Sequence, residues 1–191
     1  MHLKSVDLLE DITALIQACI EGDRFSQTRL YGMFAPRMFS TCLRYAKNRE
    51  EAEEILQEGF VQVFKSLRNF KKTGSFEGWI KRIMLHCAVQ SFRSKSKLHP
   101  VVSIDTAAVD ELGNEDIITQ LGKKELIKMI QALSPAYRMI FNLYVFEGMK
   151  HKEIAALLGI AEGTSKSNFS DAKAILQRAV INSLKVAKQK Y

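Results

Sequence analysis

The sequence predicts an all-α fold: two helical domains joined by an extended linker, the second domain ending in a helix-turn-helix. Three observations predict it. Apolar residues recur every three or four positions in two long blocks, the spacing of one face of a helix. Residues 94–118, between the blocks, have no clear periodicity and contain Pro100. Near the end of the chain Gly159 separates two helical patterns and permits a left-handed turn. The predicted boundaries are 1–95, 96–118 and 119–191.

Charge follows the same division. The chain has 191 residues, 47% of them hydrophobic, and a net charge of +7. Residues 1–98 carry 16 Lys/Arg and 11 Asp/Glu, residues 99–122 carry five acids and no Lys/Arg, and residues 123–191 carry 12 Lys/Arg and five acids. Two basic ends joined by an acidic segment indicate two polyanion-binding modules and a linker. A solvated basic surface is the simpler alternative.

The cysteines and the start of the chain indicate a cytoplasmic location without membrane insertion. Cys19, Cys42 and Cys87 are far apart, form no CxxC pair and lie in helical apolar patterns. This arrangement is typical of buried, reduced thiols in a cytosolic protein. The first residues lack the apolar stretch of a signal peptide. No run of about 18 apolar residues is present that could span a membrane.

The first domain begins with two helical patterns. An amphipathic helix is predicted to end at residues 21–23. Its apolar positions share one face and are Leu8, Ile12, Leu15, Ile16 and Cys19. A second segment contains Leu30 and Phe34. Pro36 predicts a break there or the first turn of a further helix, because proline lacks the amide hydrogen that a helix interior needs. The helical pattern then continues to about Lys47.

Residues 50–67 have the strongest helical pattern of the first domain. Their apolar stripe is widened by Ile55 and Phe64, and its members are Ala52, Leu56, Phe60, Val63 and Leu67. Acidic and amide side chains lie largely outside the stripe. Acids near the start of a helix also favour its dipole.

A basic loop, residues 68–75, follows and contains Gly74. It leads into a helix that Phe76 and Trp79 open and that is predicted to run to about Arg93. Aromatic rings beside cations are suited to capturing unstacked bases, because flat faces stack and cations bind phosphate. Packing of both rings in the core is the alternative, and by itself it is the favoured one.

The second domain is predicted to start near Ile118. Ser134 and Pro135 fit an N-cap followed by proline at the first helical position, and Gly148 ends that helix. A short helix, the Gly159 turn and a helix from about Glu162 then form the helix-turn-helix. The apolar positions of the last helix are Phe169, Ala172, Leu176 and Ala179. Small, polar and basic residues on its opposite face suit a DNA major groove.

Catalytic motifs are missing from the sequence. It contains no GxxxxGK[ST] phosphate loop and no HExxH metal motif, and its four histidines are scattered. His86 and Cys87 are neighbours in sequence, but in a helix their side chains point about 100° apart, so a catalytic pair is not expected. We therefore predict a binding protein and not an enzyme, with no cofactor and no metal. An enzyme or adaptor built on the front helical domain would need a pocket of perturbed ionisable groups, for which the sequence offers no candidates.

Two sets of motifs resemble a known family. The first set is Ala52-Glu-Glu-Ile-Leu-Gln-Glu-Gly-Phe, Val63-Phe-Lys-Ser-Leu and Phe76-Glu-Gly-Trp-Ile-Lys-Arg-Ile. The second is Leu133-Ser-Pro-Ala-Tyr-Arg, Glu147-Gly and His151-Lys-Glu-Ile-Ala through Lys173. From about residue 10 to 185 the chain resembles bacterial RNA polymerase sigma factors of the extracytoplasmic-function group. Two motif sets in the right order make the resemblance specific.

The resemblance implies an alternative sigma factor that directs promoter-specific initiation, with core RNA polymerase, promoter DNA and an anti-sigma factor as partners. It implies three sets of site residues. The core polymerase-binding set is Glu54, Gln57, Glu58 and Gly59. The −10 DNA-binding set is Lys71, Lys72, Thr73, Gly74, Ser75, Phe76, Trp79, Lys81 and Arg82. The −35 DNA-binding set is Thr164, Lys166, Ser167, Asn168, Ser170, Asp171 and Lys173. The linker would thread the polymerase channels.

Three positions depart from the family pattern. Ala161 stands where the family often has a serine that could cap the last helix, and Asn168 and Asp171 stand where many members have arginine. Asp171 could accept a hydrogen bond from a cytosine amino group or pair with a neighbouring lysine, and the sequence leaves both open. A stand-alone helix-turn-helix regulator that binds operators as a dimer is the rival hypothesis. It would leave the motifs of residues 52–82 unexplained.

Overall fold

The structure is a computed structural model that describes residues 3–71, 73–98 and 122–188, with the backbone alone for 3–11, 96–98 and 186–188. Within these ranges the regular secondary structure is helical, as predicted. Lys72 and the predicted linker from residue 99 onward lie outside the described residues. The α-helices are α1 (Leu3–Ile20), α2 (Arg24–Tyr45), α3 (Arg49–Ser66), α4 (Phe76–Leu98), α5 (Lys123–Ala132), α6 (Pro135–Val145), α7 (His151–Leu158) and α8 (Glu162–Lys188), with a 3₁₀ turn at Leu67–Asn69.

The predicted break at Pro36 is wrong, because α2 continues through the proline from Arg24 to Tyr45. Proline removes one helical hydrogen bond, the one to the carbonyl of Gly32 four residues earlier. Pro36 and Gly32 are both exposed, so that carbonyl lies on the solvent side of the helix. Buried Phe34 and Met38 hold the helix on either side of the proline. Packing therefore outweighs the missing bond.

The apolar stripe predicted in residues 50–67 is buried, apart from half-buried Phe64. Its other members, in α3 and at the start of the 3₁₀ turn, are each at most 6% exposed: Ala52, Ile55, Leu56, Phe60, Val63 and Leu67. Gly59 is buried with them. A Cβ placed on Gly59 would meet the Met84 sulfur of α4 at 2.1 Å. Glycine at this position is what lets α3 lie so close to α4.

Helix α4 begins at a side-chain cap. The Ser75 hydroxyl accepts a hydrogen bond from the Gly78 amide at 3.0 Å, which satisfies one of the unpaired amides of the first turn. Gly74, just before it, has φ of 98°, a conformation that favours glycine. The helix extends to Leu98, beyond the predicted end near Arg93.

The chain divides into two compact units. One comprises residues 1–42 and 49–88, and the other comprises residues 43–48 and 89–191. This grouping places the last turn of α2 and the C-terminal half of α4 in the second unit. The partition into 1–95, 96–118 and 119–191 stays a prediction.

The second unit is built on caps and turns that the sequence predicted. Ser134 accepts a hydrogen bond from the Tyr137 amide at 3.4 Å, and Pro135 begins α6. Gly148 follows the end of α6 with φ of 66°. Leu133 and Tyr137 pack against Ala172 of α8, and Phe141, Ile175 and Leu176 border this core.

Arg138 lies in the second unit and is only 4% exposed, which is uncommon for a charged side chain. Its Nε donates to the Tyr45 carbonyl at 3.0 Å, and its Nη1 donates to the carbonyls of Gln131 and Leu133 at 2.8 and 2.9 Å. Asn142 donates to the Arg44 carbonyl at 2.8 Å. These donors satisfy carbonyls at the ends of α2 and α5, where the last carbonyls of a helix have no partner within it, and the buried guanidinium is itself satisfied.

Candidate functional site

The turn between α7 and α8 has the geometry of a helix-turn-helix. Gly159 ends α7 in the left-handed region, with φ 70° and ψ 37°. His151 Nδ1 lies 3.0 Å from the Ser165 hydroxyl, and Ser165 is fully buried. The His151 ring stacks on Tyr144, with centroids 4.6 Å apart, and meets Phe169 edge-on. These contacts fix the direction in which α8 leaves the turn.

The first turns of α8, residues 162–173, are called the recognition helix below. Five of the predicted −35 residues are exposed along it: Thr164, Lys166, Ser167, Ser170 and Lys173. Asn168 is half-buried. The exposed side chains are short or basic, which suits a helix that enters a DNA major groove. The recognition helix begins at Glu162, as predicted from the sequence.

Asp171 is placed differently from its neighbours. It is half-buried, and its carboxylate accepts a hydrogen bond from the Tyr137 hydroxyl at 3.2 Å. Burial and the bond to Asp171 together raise the pKa of Tyr137. Through this bond Asp171 connects the recognition helix to α6.

Glu162 is an exposed residue that the predicted −35 set omitted. Its Oε1 lies 2.7 Å from Lys166 Nζ, one helical turn away. The hydrogen bond and the charge of Lys166 lower the pKa of Glu162. The spacing of an acid four residues before a lysine is a signal that the sequence already contained.

The loop before α4 presents Lys71, Thr73, Gly74 and Ser75 to solvent. Ser75 has a structural task as well, because it caps α4. Arg82 is exposed, and Lys81 is partly exposed. Arg37 of α2 pairs with Glu77 in the first turn of α4 at 2.7 Å, so the acid nearest the loop is already neutralised. The loop surface is therefore dominated by cations.

The aromatic residues beside this loop interlock. Phe76 is 6% exposed, contacts Phe34 and Phe70 edge-on, and stacks on Trp79 with centroids 5.6 Å apart. Phe70 and Trp79 are both half-buried, with centroids 5.5 Å apart. Burial of Phe76 favours the packing role that the sequence left as an alternative. Only Phe70 and Trp79 of this cluster have ring surface that a base could reach, and Phe70 was missing from the predicted set.

The predicted polymerase-binding residues fall on two sides of α3. Glu54, Gln57 and Glu58 are exposed, whereas Gly59 is buried against Met84. Glu58 is close enough to α4 for its charge to act on Cys87. The pKa of Cys87 is raised to about 11, mainly by burial and to a smaller extent by the charge of Glu58. Val61, one turn beyond Gln57 and Glu58, is 50% exposed and adds an apolar side chain to their surface.

Membrane spans and metal clusters are both missing from the described part of the chain. None of the helices in these residues is long and apolar enough to cross a membrane. The same residues contain no group of three or more His, Cys, Asp or Glu side chains placed to hold a metal ion.

Comparison with protein families gives two matches. The profile of Sigma-70 region 2 matches residues 30–98, and the profile of Sigma-70 region 4 matches residues 123–176. The first match contains α3, the basic loop and α4, and the second contains the helix-turn-helix. All three predicted sets of site residues lie inside the matched segments.

Two relatives of the chain and one solved structure to which it is similar are named as sigma factors. The chain is 29% identical over 147 residues to the ECF RNA polymerase sigma factor SigE of Mycolicibacterium smegmatis, covering 74% of this chain and 56% of that protein. It is 20% identical to the RNA polymerase sigma-H factor of Pseudomonas aeruginosa, covering 87% of this chain and 92% of that protein. The sigma factor RpoE of Bartonella quintana, solved with the anti-sigma factor NepR, superimposes with a TM-score of 0.47 and 20% identity, covering 80% and 95% of the two chains.

Proposed function

The chain belongs to the sigma-70 family, in its extracytoplasmic-function group, and we propose that it is an alternative sigma factor that directs core RNA polymerase to specific promoters. One observation supports this most: a region 2 match and a region 4 match occur in that order in one chain. A stand-alone helix-turn-helix regulator would need only the second. We keep the proposed domains as 1–95, an acidic linker at 96–118, and 119–191.

In this proposal the exposed side of α3 binds core polymerase through Glu54, Gln57 and Glu58, with Val61 as an apolar anchor. Protein interfaces commonly join apolar side chains at the centre with polar ones at the rim. Gly59 contributes indirectly, because it sets the distance between α3 and α4. The polymerase surface that fits this face is basic with an apolar recess.

The melted −10 strand binds to the loop at residues 71–75 and to Trp79 and Arg82 of α4. Cations bind the phosphates, and the partly open rings of Phe70 and Trp79 stack on unpaired bases. Phe76 packs against both rings and holds them in place. The recognition helix binds the −35 duplex in the major groove. Two sites on one chain thus recognise DNA in two different states.

Partners and location follow from the family. Core polymerase and promoter DNA are the partners that the function requires, and an anti-sigma factor is a further proposed partner. We also propose a cytoplasmic location, where polymerase acts, and no catalytic activity of the chain itself.

The direct test is to add the purified full chain to core polymerase and to map transcript starts on genomic DNA. New starts that share a −10 and a −35 sequence are expected. Tight duplex binding by the chain alone, with no effect on polymerase, would instead support the stand-alone regulator.

A second test changes one charge on α3. Glu58→Lys should weaken core binding by about 2–4 kcal/mol, because a favourable charged contact becomes a repulsion. Glu21→Lys makes the same charge change at an exposed position after α1 and should leave binding unchanged. Core binding is measured by co-purification and titration. Equal affinity for the two variants would contradict the proposed polymerase surface.

A further inference from the structure

The first turn of the recognition helix carries a hydrogen-bond acceptor and a donor side by side. Glu162 Oε1 and Lys166 Nζ are 2.7 Å apart, and their side chains are 45% and 61% exposed. In helix-turn-helix proteins, side chains at the start of the recognition helix contact base edges. Glu162 is the first residue of α8, so this ion pair lies at the end of the helix that approaches bases.

The chemistry of the pair matches one base pair. In the major groove a G·C pair presents the cytosine N4 amine next to the guanine O6, with guanine N7 beyond it. Carboxylates accept from cytosine N4, and lysine donates to guanine O6 and N7. The Glu162 carboxylate is an acceptor and matches the cytosine N4 donor. The Lys166 ammonium is a donor and matches the guanine O6 acceptor next to it. We propose that Glu162 and Lys166 together read one G·C base pair of the −35 duplex.

Two further observations support this assignment. The other acid of the recognition helix, Asp171, is half-buried and bonded to Tyr137, so Glu162 is the better-placed acid. A lone carboxylate would be repelled by the DNA phosphates. The Lys166 ammonium neutralises it, so the pair approaches the groove without net charge. The inference rests on the proposed function, because it needs the helix to bind duplex DNA.

The test uses holoenzyme reconstituted from core polymerase and the full chain. The probe is a pool of promoter duplexes, taken from mapped transcript starts, with the −35 region randomised. Bound duplexes are sequenced for the wild type, Glu162→Ala, Glu162→Gln and a charge-matched control, Glu125→Gln. Glu125 is exposed on α5 and accepts a hydrogen bond from Ser183, outside the recognition helix.

The wild type and the control are expected to prefer G·C at one position by about 5- to 150-fold. Glu162→Ala should lose that preference at that position alone. Glu162→Gln should lose it or transfer it to A·T, because glutamine pairs with adenine N6 and N7. A G·C preference kept in either variant, or a uniform change in binding to all sequences, would overturn the inference. If no holoenzyme forms or no start is mapped, the proposed function itself fails, which is a different result.

Discussion

The two DNA-binding surfaces proposed here are built in opposite ways. Beside the loop before α4, the candidate base-stacking rings belong to an aromatic cluster in which Phe76 is 6% exposed and touches three other rings. On the recognition helix, five of the candidate side chains are exposed and are short or basic, whereas Ala172 and Ser165 of the same helix are fully buried. In the first surface Phe70 and Trp79, the rings proposed to stack on bases, are also packed in the aromatic cluster. In the second surface packing and reading are assigned to different residues.

The two surfaces should differ in how easily their side chains can be replaced. A helix whose reading side chains carry no packing can exchange them freely, so its target sequence can change at little cost in stability. A ring cluster cannot, because each ring removed leaves a cavity. We therefore expect mutations at the first surface to alter stability and DNA binding together, and mutations at the second to alter binding alone.

The largest expected effect is at Phe76. Phe76→Ala should lower the free energy of unfolding by about 3–5 kcal/mol, because it opens a cavity among Phe34, Phe70 and Trp79. Ser170→Ala, on the exposed face of the recognition helix, should stay within about 0.5 kcal/mol of the wild type. Denaturant unfolding measures both, with fluorescence of the single tryptophan, Trp79, reporting the first unit. A Phe76 variant as stable as the wild type would remove the contrast between the surfaces.

A smaller effect is expected at the close approach of α3 and α4. Gly59→Leu should destabilise the first unit by about 1–3 kcal/mol, since the new side chain collides with Met84. This exceeds the gain in helix propensity of up to about 1 kcal/mol. In the double variant with Met84→Ala the two costs should be less than additive, as a double-mutant cycle would show. Strict additivity would mean that the two residues do not touch.

The recognition helix offers a stabilising change. Ala161→Ser should add about 0.5–2 kcal/mol, because a serine before Glu162 can accept from an unpaired amide of the first turn. Ala156→Ser, at an exposed position inside α7, should cost about 0.5 kcal/mol. Hydrogen exchange of peptides from the second unit, measured on the full chain, compares them. If both changes stabilise or both destabilise, α8 starts at a different residue.

The smallest effects separate the two DNA states. Replacing Lys71 and Lys72 by Ala should weaken holoenzyme binding to a pre-melted template and reduce its salt slope by about 0.7 for each phosphate that is no longer neutralised. Lys166→Ala should weaken duplex binding and spare the pre-melted template. Permanganate footprinting of promoter opening distinguishes the two steps. Loss of duplex binding in the Lys71 and Lys72 variant, with normal opening, would reassign the loop.

Much of the fold could be predicted from the sequence because its signals are local. The α3 stripe, the Ser134 cap, the Gly159 turn and the start of α8 each depend on residues within a few positions of one another. Pro36 shows where local reasoning fails. Its effect on α2 depends on which side of the helix meets the core, and that is decided by packing with other helices.

The sequence by itself determined that the chain is helical, that two basic blocks flank an acidic segment, and which segments carry the motifs of sigma-70 regions 2 and 4. Only the tertiary structure decided which motif residues face outward. Gly59, Phe76 and Asp171 lie in functional motifs, yet the structure commits them to Met84, an aromatic cluster and Tyr137. Motifs record residue types along the chain. Exposure depends on side chains distant in sequence, and only folding brings those together.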